Sequence, residues 1–280
     1  MATELRIDAL LPQEMATRAE YLGERKAAMP ILTMFTLAIL AGAFIGLGAM
    51  FATTTATGAA ALPYGVVKVL TGLVFCLGLV LVIIGGAELF TGNNLIVMAW
   101  ASGKVSTTSL LRNWTIVYIG NFVGAIATAI MVFISQQYLF GSGSVGQTAL
   151  GIANAKTQLG FVQAIALGVL CNILVCLAVW LTFSARSTID KVAAILFPIT
   201  AFVAAGFEHS IANMYFIPMG LFIKNFNPTF TAASNLDLSS LTWSAFLVNN
   251  LLPVTVGNII GGSVFVAAVY WSVFLRRKPV

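Results

Sequence analysis

Six long apolar segments dictate what this chain can become: Ile31–Ala52, Lys68–Trp100, Arg112–Phe140, Phe161–Phe183, Val192–Ile223 and Phe246–Leu275. A bilayer's hydrocarbon core is about 30 Å thick and takes about 20 apolar residues of helix to cross. Backbone polar groups find no water there, so only helices and closed barrels span it. Charged residues make up 8% of the 280 and hydrophobic residues 59%, whereas soluble domains carry roughly 25% charged. The expectation is an all-α polytopic membrane protein of six transmembrane helices. It divides into an N-terminal cytoplasmic interfacial helix (1–30), a six-span channel body (31–275) and a short cytoplasmic tail (276–280).

Charge placement orients the spans. With the N-terminus inside, the inner loops hold Arg6, Arg18, Arg25, Lys26, Lys104, Arg112, Arg186, Lys191, Arg276, Arg277 and Lys278, and the outer loops hold Lys68, Lys156 and Lys224. That excess of inside cations puts both termini in the cytoplasm. The net charge of +5 forms no basic stripe, so nucleic acid is not an expected partner. The stretch from Met1 to Lys26 lacks the pattern of a cleaved signal peptide. Cys76, Cys171 and Cys176 all lie in apolar runs, which argues against a disulfide framework. With a single histidine in the chain, no metal site and no cofactor are expected.

Two spans are abnormal. Lys68–Trp100 holds 33 residues, roughly 50 Å as continuous helix. It carries the polar interruption Gly85-Gly86-Ala87-Glu88-Leu89-Phe90-Thr91-Gly92-Asn93-Asn94, and the fifth span carries Gly206-Phe207-Glu208-His209-Ser210-Ile211-Ala212-Asn213. At an offset of 120 positions, Gly86, Glu88 and Asn93 match Gly206, Glu208 and Asn213. Gly120-Asn121-Phe122-Val123-Gly124 is echoed by Gly257-Asn258-Ile259-Ile260-Gly261. Three spans per half force opposite insertion, so the expectation is a 3+3 inverted repeat with broken second and fifth helices. Paired breaks of that kind point to a binding site or pore.

His209 is the candidate switch. An ionisable group at membrane depth is costly and usually faces a bundle interior or a water path, and histidine changes charge between about pH 5 and 8. The plainer alternative is a core histidine bonded to a carbonyl. Thr91 and Ser210 are expected to cap the half-helices that follow them, whose N-termini favour an anion. Glu88 and Glu208 are expected to be structural at the breaks, accepting the backbone N–H groups freed there, or else to shape the proton affinity of His209. Asn172 is read equally as an interhelical bond or as part of a path. Phe75, Leu79, Leu89, Phe90 and Phe202 cannot be assigned by pattern. Lys156 is either a solvated surface lysine or an attractor of anions. The segment Asp8–Ala28 suits an amphipathic interfacial helix, serving as an anchor or as a movable plug.

Phe202–Gly220, together with Cys176–Lys191 and Pro253–Gly262, closely resembles the signature of the formate/nitrite transporter family. The likeness runs from Leu10-Leu11-Pro12 to Arg276 and is nearest the bacterial formate-channel branch. The resemblance implies an aquaporin-like fold, a homopentamer in the bacterial inner membrane surrounded by lipid, and one pore per protomer. It implies Phe75 and Phe202 at one constriction and Leu79, Leu89 and Phe90 at the other. It places His209 and Thr91 between them, Asn172, Val175, Ala212 and Asn213 along the path, and Lys156 in the outer vestibule. One departure is Glu88, where relatives carry the shorter Asp, which bears on loop geometry.

The function so implied is passage of formate and similar small monovalent anions, with no enzymatic step. A proton exchanged at His209 would let formic acid cross the last apolar ring neutral, avoiding the desolvation cost of an ion. Alternatives are a nitrite- or hydrosulfide-preferring member, or a neutral-solute channel for water or ammonia. The twin Asn-Pro-Ala of aquaporins is missing, and ammonium channels use paired histidines. An intramembrane hydrolase would need a strained serine nucleophile with a base beside it, which Ser210 next to His209 does not provide. A purely structural scaffold would leave two matched breaks unexplained.

Overall fold

The computed structural model describes residues 9–58 and 61–276; Arg6, Arg277 and Lys278 from the orientation argument lie outside them. The described residues are all-helical in their regular structure. Among the described residues, five helices are long and apolar enough to cross a membrane. These are α2 (Ile31–Ala56), α3 (Tyr64–Gly85), α5 (Thr107–Ile134), α7 (Phe161–Ser184) and α11 (Ala245–Leu275). Shorter helices complete the bundle: α1 (Pro12–Ala27), α4 (Val97–Ala101), α6 (Ser144–Thr157), α8 (Thr188–Ala204), α9 (Ser210–Phe226) and α10 (Pro228–Ala233). A 3-10 turn covers Gly92–Ile96, and α11 includes three π-helical stretches.

Local chemistry sets the helix ends. Pro30 and Pro63 sit at the N-caps of α2 and α3, in extended geometry that their fixed φ prepares. Ser106 caps α5 by accepting from Ser109 N–H. Ser187 and Asp190 form a reciprocal capping box at α8. The Asp190 carboxyl, outside the spans, is held below the usual carboxylate range by the amides of Ser187 and Arg186. Gly86 and Gly206 adopt φ of +77° and +74°, a left-handed conformation that favours glycine.

The expected span Val192–Ile223 is thus two helices of 17 residues, separated by non-helical backbone at 207–209. The expected Lys68–Trp100 starts earlier, at Tyr64, and leaves the α-helix at Gly85 before the short turn and α4.

Helix pairs approach through small residues, because lipid tails supply no hydrophobic drive between apolar surfaces. At Gly124 an added Cβ would collide with the backbone oxygen of Ile39 on α2, and at Gly261 with that of Val169 on α7. Backbone cannot retreat as a side chain can. Gly124→Ala is therefore expected to separate α2 from α5 at a cost of about 1–3 kcal/mol, read as a lower unfolding midpoint in detergent.

The N-terminal helix packs against the rest of the protein. Its Met15, Ala16, Ala19, Glu20 and Gly23 are buried, the first three in a cluster with Ile96, Met98 and Ala99. Gln13 Nε2 donates to Phe274 O at 2.6 Å, and Arg112 donates to Met29 O just beyond α1. Lys104 pairs with Glu20 at 2.5 Å and Glu24 at 3.3 Å, which raises its pKa. α1 and the end of α11 thus meet on one side of the bundle.

Candidate functional site

Where α3 and α8 stop, the chain needs partners for its freed backbone groups, and two asparagines supply them. Asn121 on α5 donates to Ala38 O at 2.8 Å and Glu88 O at 2.9 Å, and accepts from Phe90 N–H at 2.9 Å. Asn258 on α11 donates to Gly168 O at 2.8 Å and Glu208 O at 2.9 Å, and accepts from Ser210 N–H at 2.9 Å. The amides of Glu88 and Glu208 reach Leu37 O and Leu167 O. Both asparagines are fully buried, so these bonds stand in for water.

The carboxylates take side-chain donors instead of the backbone N–H groups expected for them. Glu88 accepts Lys26 Nζ at 2.6 Å and Asn93 Nδ2 at 2.8 Å. Glu208 accepts Lys156 Nζ at 2.6 Å, Asn213 Nδ2 at 2.7 Å and Asn250 Nδ2 at 3.1 Å. The match extends outward: Asn93 also donates to Asn113 and Asn213 to Asn250, while Asn113 donates to Lys26 O and Asn250 to Lys156 O. Lys156 is therefore no solvated surface lysine. Its side chain is 16% exposed, and its charge is met by Glu208.

The expected caps are also redrawn. Thr91 makes no side-chain cap to the turn that follows it; its Oγ1 lies 2.9 Å from His209 Nε2. Ser210 Oγ has no partner among the described residues. His209 is itself the N-cap of α9, its Nδ1 accepting Ala212 N–H at 3.1 Å. That bond leaves Nδ1 without a proton, so the neutral ring carries its proton on Nε2 and offers it to the Thr91 hydroxyl.

Two cavities lie near this pair, His209 lining the first and Gly92, next to Thr91, the second. The first, about 140 Å³, is lined by Lys68, Thr71, Phe75, Lys156, Phe202 and His209 among others, with Ala212 and Asn213. The second, about 780 Å³, lies on the side of α1 and includes Lys26, Leu79, Glu88, Leu89, Gly92 and Asn93. Phe75 and Phe202 meet edge to face at 5.6 Å, and Phe202 stacks beside His209 at 5.9 Å. One face of α3 serves both cavities: Thr71 and Phe75 line the first, Leu79 and Val82 the second, at helical spacing.

Other candidate residues lie apart from the linings. Phe90 packs against Trp114 and Tyr118. Val175 is buried. Asn172 is buried behind the first break and donates to Asn258 O at 2.7 Å, with Thr91 O at 3.3 Å. Sequence reasoning assigned no role to Asn113, Asn121, Asn250, Asn258 or Thr71, and counted Lys26 only for orientation. The repeated Gly-Asn in α5 and α11 was the available signal for two of them.

The formate/nitrite transporter model matches residues 13–272. The formate channel FocA of Escherichia coli (strain K12) is 44% identical over 275 residues, which cover 97% of this chain and 96% of that one. FocA of Haemophilus influenzae is 42% identical, covering 91% of this chain and 92% of its own. A solved pentameric formate channel with formate bound superposes with a TM-score of 0.82 and 49% identity, covering 88% of this chain and 98% of that one.

Proposed function

Since the chain belongs to the formate/nitrite transporter family, we propose that it is a membrane channel for formate and similar small monovalent anions. It works as a homopentamer in a bacterial inner membrane, with both termini cytoplasmic. The six spans form a 3+3 inverted repeat of aquaporin-like design, in which the second and fifth helices are broken. Support for the repeat comes from the two sets of matching bonds around Asn121 and Asn258. One observation supports the functional reading: Thr91 joins His209, which lines the first cavity, and is followed in sequence by Gly92, which lines the second, while one face of α3 serves both.

The anion enters past Lys156, passes the Phe75–Phe202 ring, meets Thr91 and His209, and leaves past Leu79 and Leu89 toward Lys26. The apolar rings exclude bulk water, and stripping an anion of its hydration is costly unless donors replace it. His209 Nε2–H, the Thr91 hydroxyl and the positive end of α9 are such donors. Both lysines are paired with carboxylates, so neither holds a bound anion with an uncompensated charge and the anion can leave. A proton exchanged with the substrate involves Nε2, and a doubly protonated ring must first release the Ala212 amide.

Formate flux into proteoliposomes, followed from pH 5 to 8, tests the reading. The expected result is saturable formate uptake with a pH dependence that requires the protein. Water or ammonia crossing without formate would instead identify a neutral-solute channel.

A further inference from the structure

Several threonines within these helices share one habit. Thr17, Thr36, Thr53, Thr54, Thr55, Thr128 and Thr148 each donate their hydroxyl to the carbonyl four residues back. This is the ordinary resort of a helical threonine that lacks a better partner. Thr71 Oγ1 does not do so. It is buried, has no hydrogen-bond partner among the described residues, and belongs to a residue lining the 140 Å³ cavity. It stands one helical turn before Phe75, on the α3 face that runs toward Leu79.

Most other side-chain donors of that lining are engaged. Lys156 is paired with Glu208, Asn213 Nδ2 serves Glu208 and Asn250, and His209 Nε2 lies against Thr91. Lys68 Nζ sits 5.4 Å from the Tyr64 ring centre, at the start of α3. Asn213 Oδ1 is also without a partner, but as an acceptor it suits a water or an acid O–H, not an anion. A free hydroxyl beside a neutralised lysine is where an incoming carboxylate gains a bond without displacing one.

We propose that Thr71 is a positioning residue that donates its hydroxyl to the substrate anion and holds it against the Phe75–Phe202 ring, on the Lys156 side. This deepens the formate-channel reading and rests on it. Losing a hydrogen bond to a charged group is expected to weaken binding roughly tenfold, about 1.4 kcal/mol. Thr71→Val keeps the shape of the side chain and deletes the donor; Thr71→Ser keeps the donor.

The experiment is the concentration dependence of formate flux in proteoliposomes for the native full-length chain and both variants, with formate added on the Lys156 side. Thr71→Val is expected to raise the half-saturating formate concentration roughly tenfold, a larger change than in maximal flux. Thr71→Ser is expected to stay within about twofold of native. A native half-saturation in Thr71→Val overturns the proposal, as does Thr71→Ser behaving like the valine variant, which would mean that volume and not the hydroxyl matters. If the native chain carries no formate at all, the channel reading falls and this proposal with it.

Discussion

His209→Asn is expected to cut formate flux at least tenfold and to flatten its dependence on pH between 5 and 8. Asparagine is a clean replacement for a structural reason. His209 caps α9 through Nδ1 and Ala212 N–H, and asparagine is among the preferred N-cap residues. The start of α9 is therefore kept while the imidazole, its Nε2–H and its bond to Thr91 are lost. Alanine would also remove the cap, at about 0.5–2 kcal/mol, and would confound folding with transport. Flux measured in proteoliposomes, with the unfolding midpoint followed in parallel, separates the two effects. A variant with native rate and native pH profile would remove His209 from the mechanism.

Asn258→Leu is expected to leave the protein unable to fold stably. The substitution strips partners from Gly168 O, Glu208 O and Ser210 N–H together. Each buried backbone group left unmatched costs about 1–3 kcal/mol, and no water reaches it at this depth. The sum rivals much of the roughly 5–15 kcal/mol that holds a typical domain together. Loss of a monodisperse peak in detergent, or a steep fall in the unfolding midpoint, is the expected readout. Asn121→Leu should behave alike, because its three bonds correspond one for one. A native midpoint for either variant would mean that the backbone at the break finds other partners.

Periodicity and charge made the membrane class and the helical content legible, since both rest on composition along the chain. The interruptions at Gly86 and Gly206 were readable because a left-handed glycine followed by polar residues has few other uses in an apolar run. Which donor meets which acceptor was not readable. Thr91 looked like a cap by type and position, yet a histidine 118 residues away in sequence claims its hydroxyl. The two glutamates looked suited to backbone amides, but lysines from α1 and α6 reach them first. Lys156 falls in a polar stretch that resembles an ordinary loop, and only packing shows its side chain to be mostly covered. Long-range pairings of this kind leave no local pattern, though the repeated Gly-Asn in α5 and α11 preserved a trace of the most consequential one.

The two carboxylate networks also bear on how the chain is made. Lys26, Glu88, Asn93, Asn113 and Asn121 all precede α6 in sequence, and Lys156, Glu208, Asn213, Asn250 and Asn258 all follow its start. As the nascent chain leaves the ribosome, each buried carboxylate meets a cation from its own stretch, already synthesised. Neither half has to hold an unpaired charge in lipid while the other is translated. The contact between Thr91 and His209 joins the two stretches, so it can form only after most of the protein has emerged. A chain halted after α5 would have its buried Glu88 paired yet would lack the contact between Thr91 and His209.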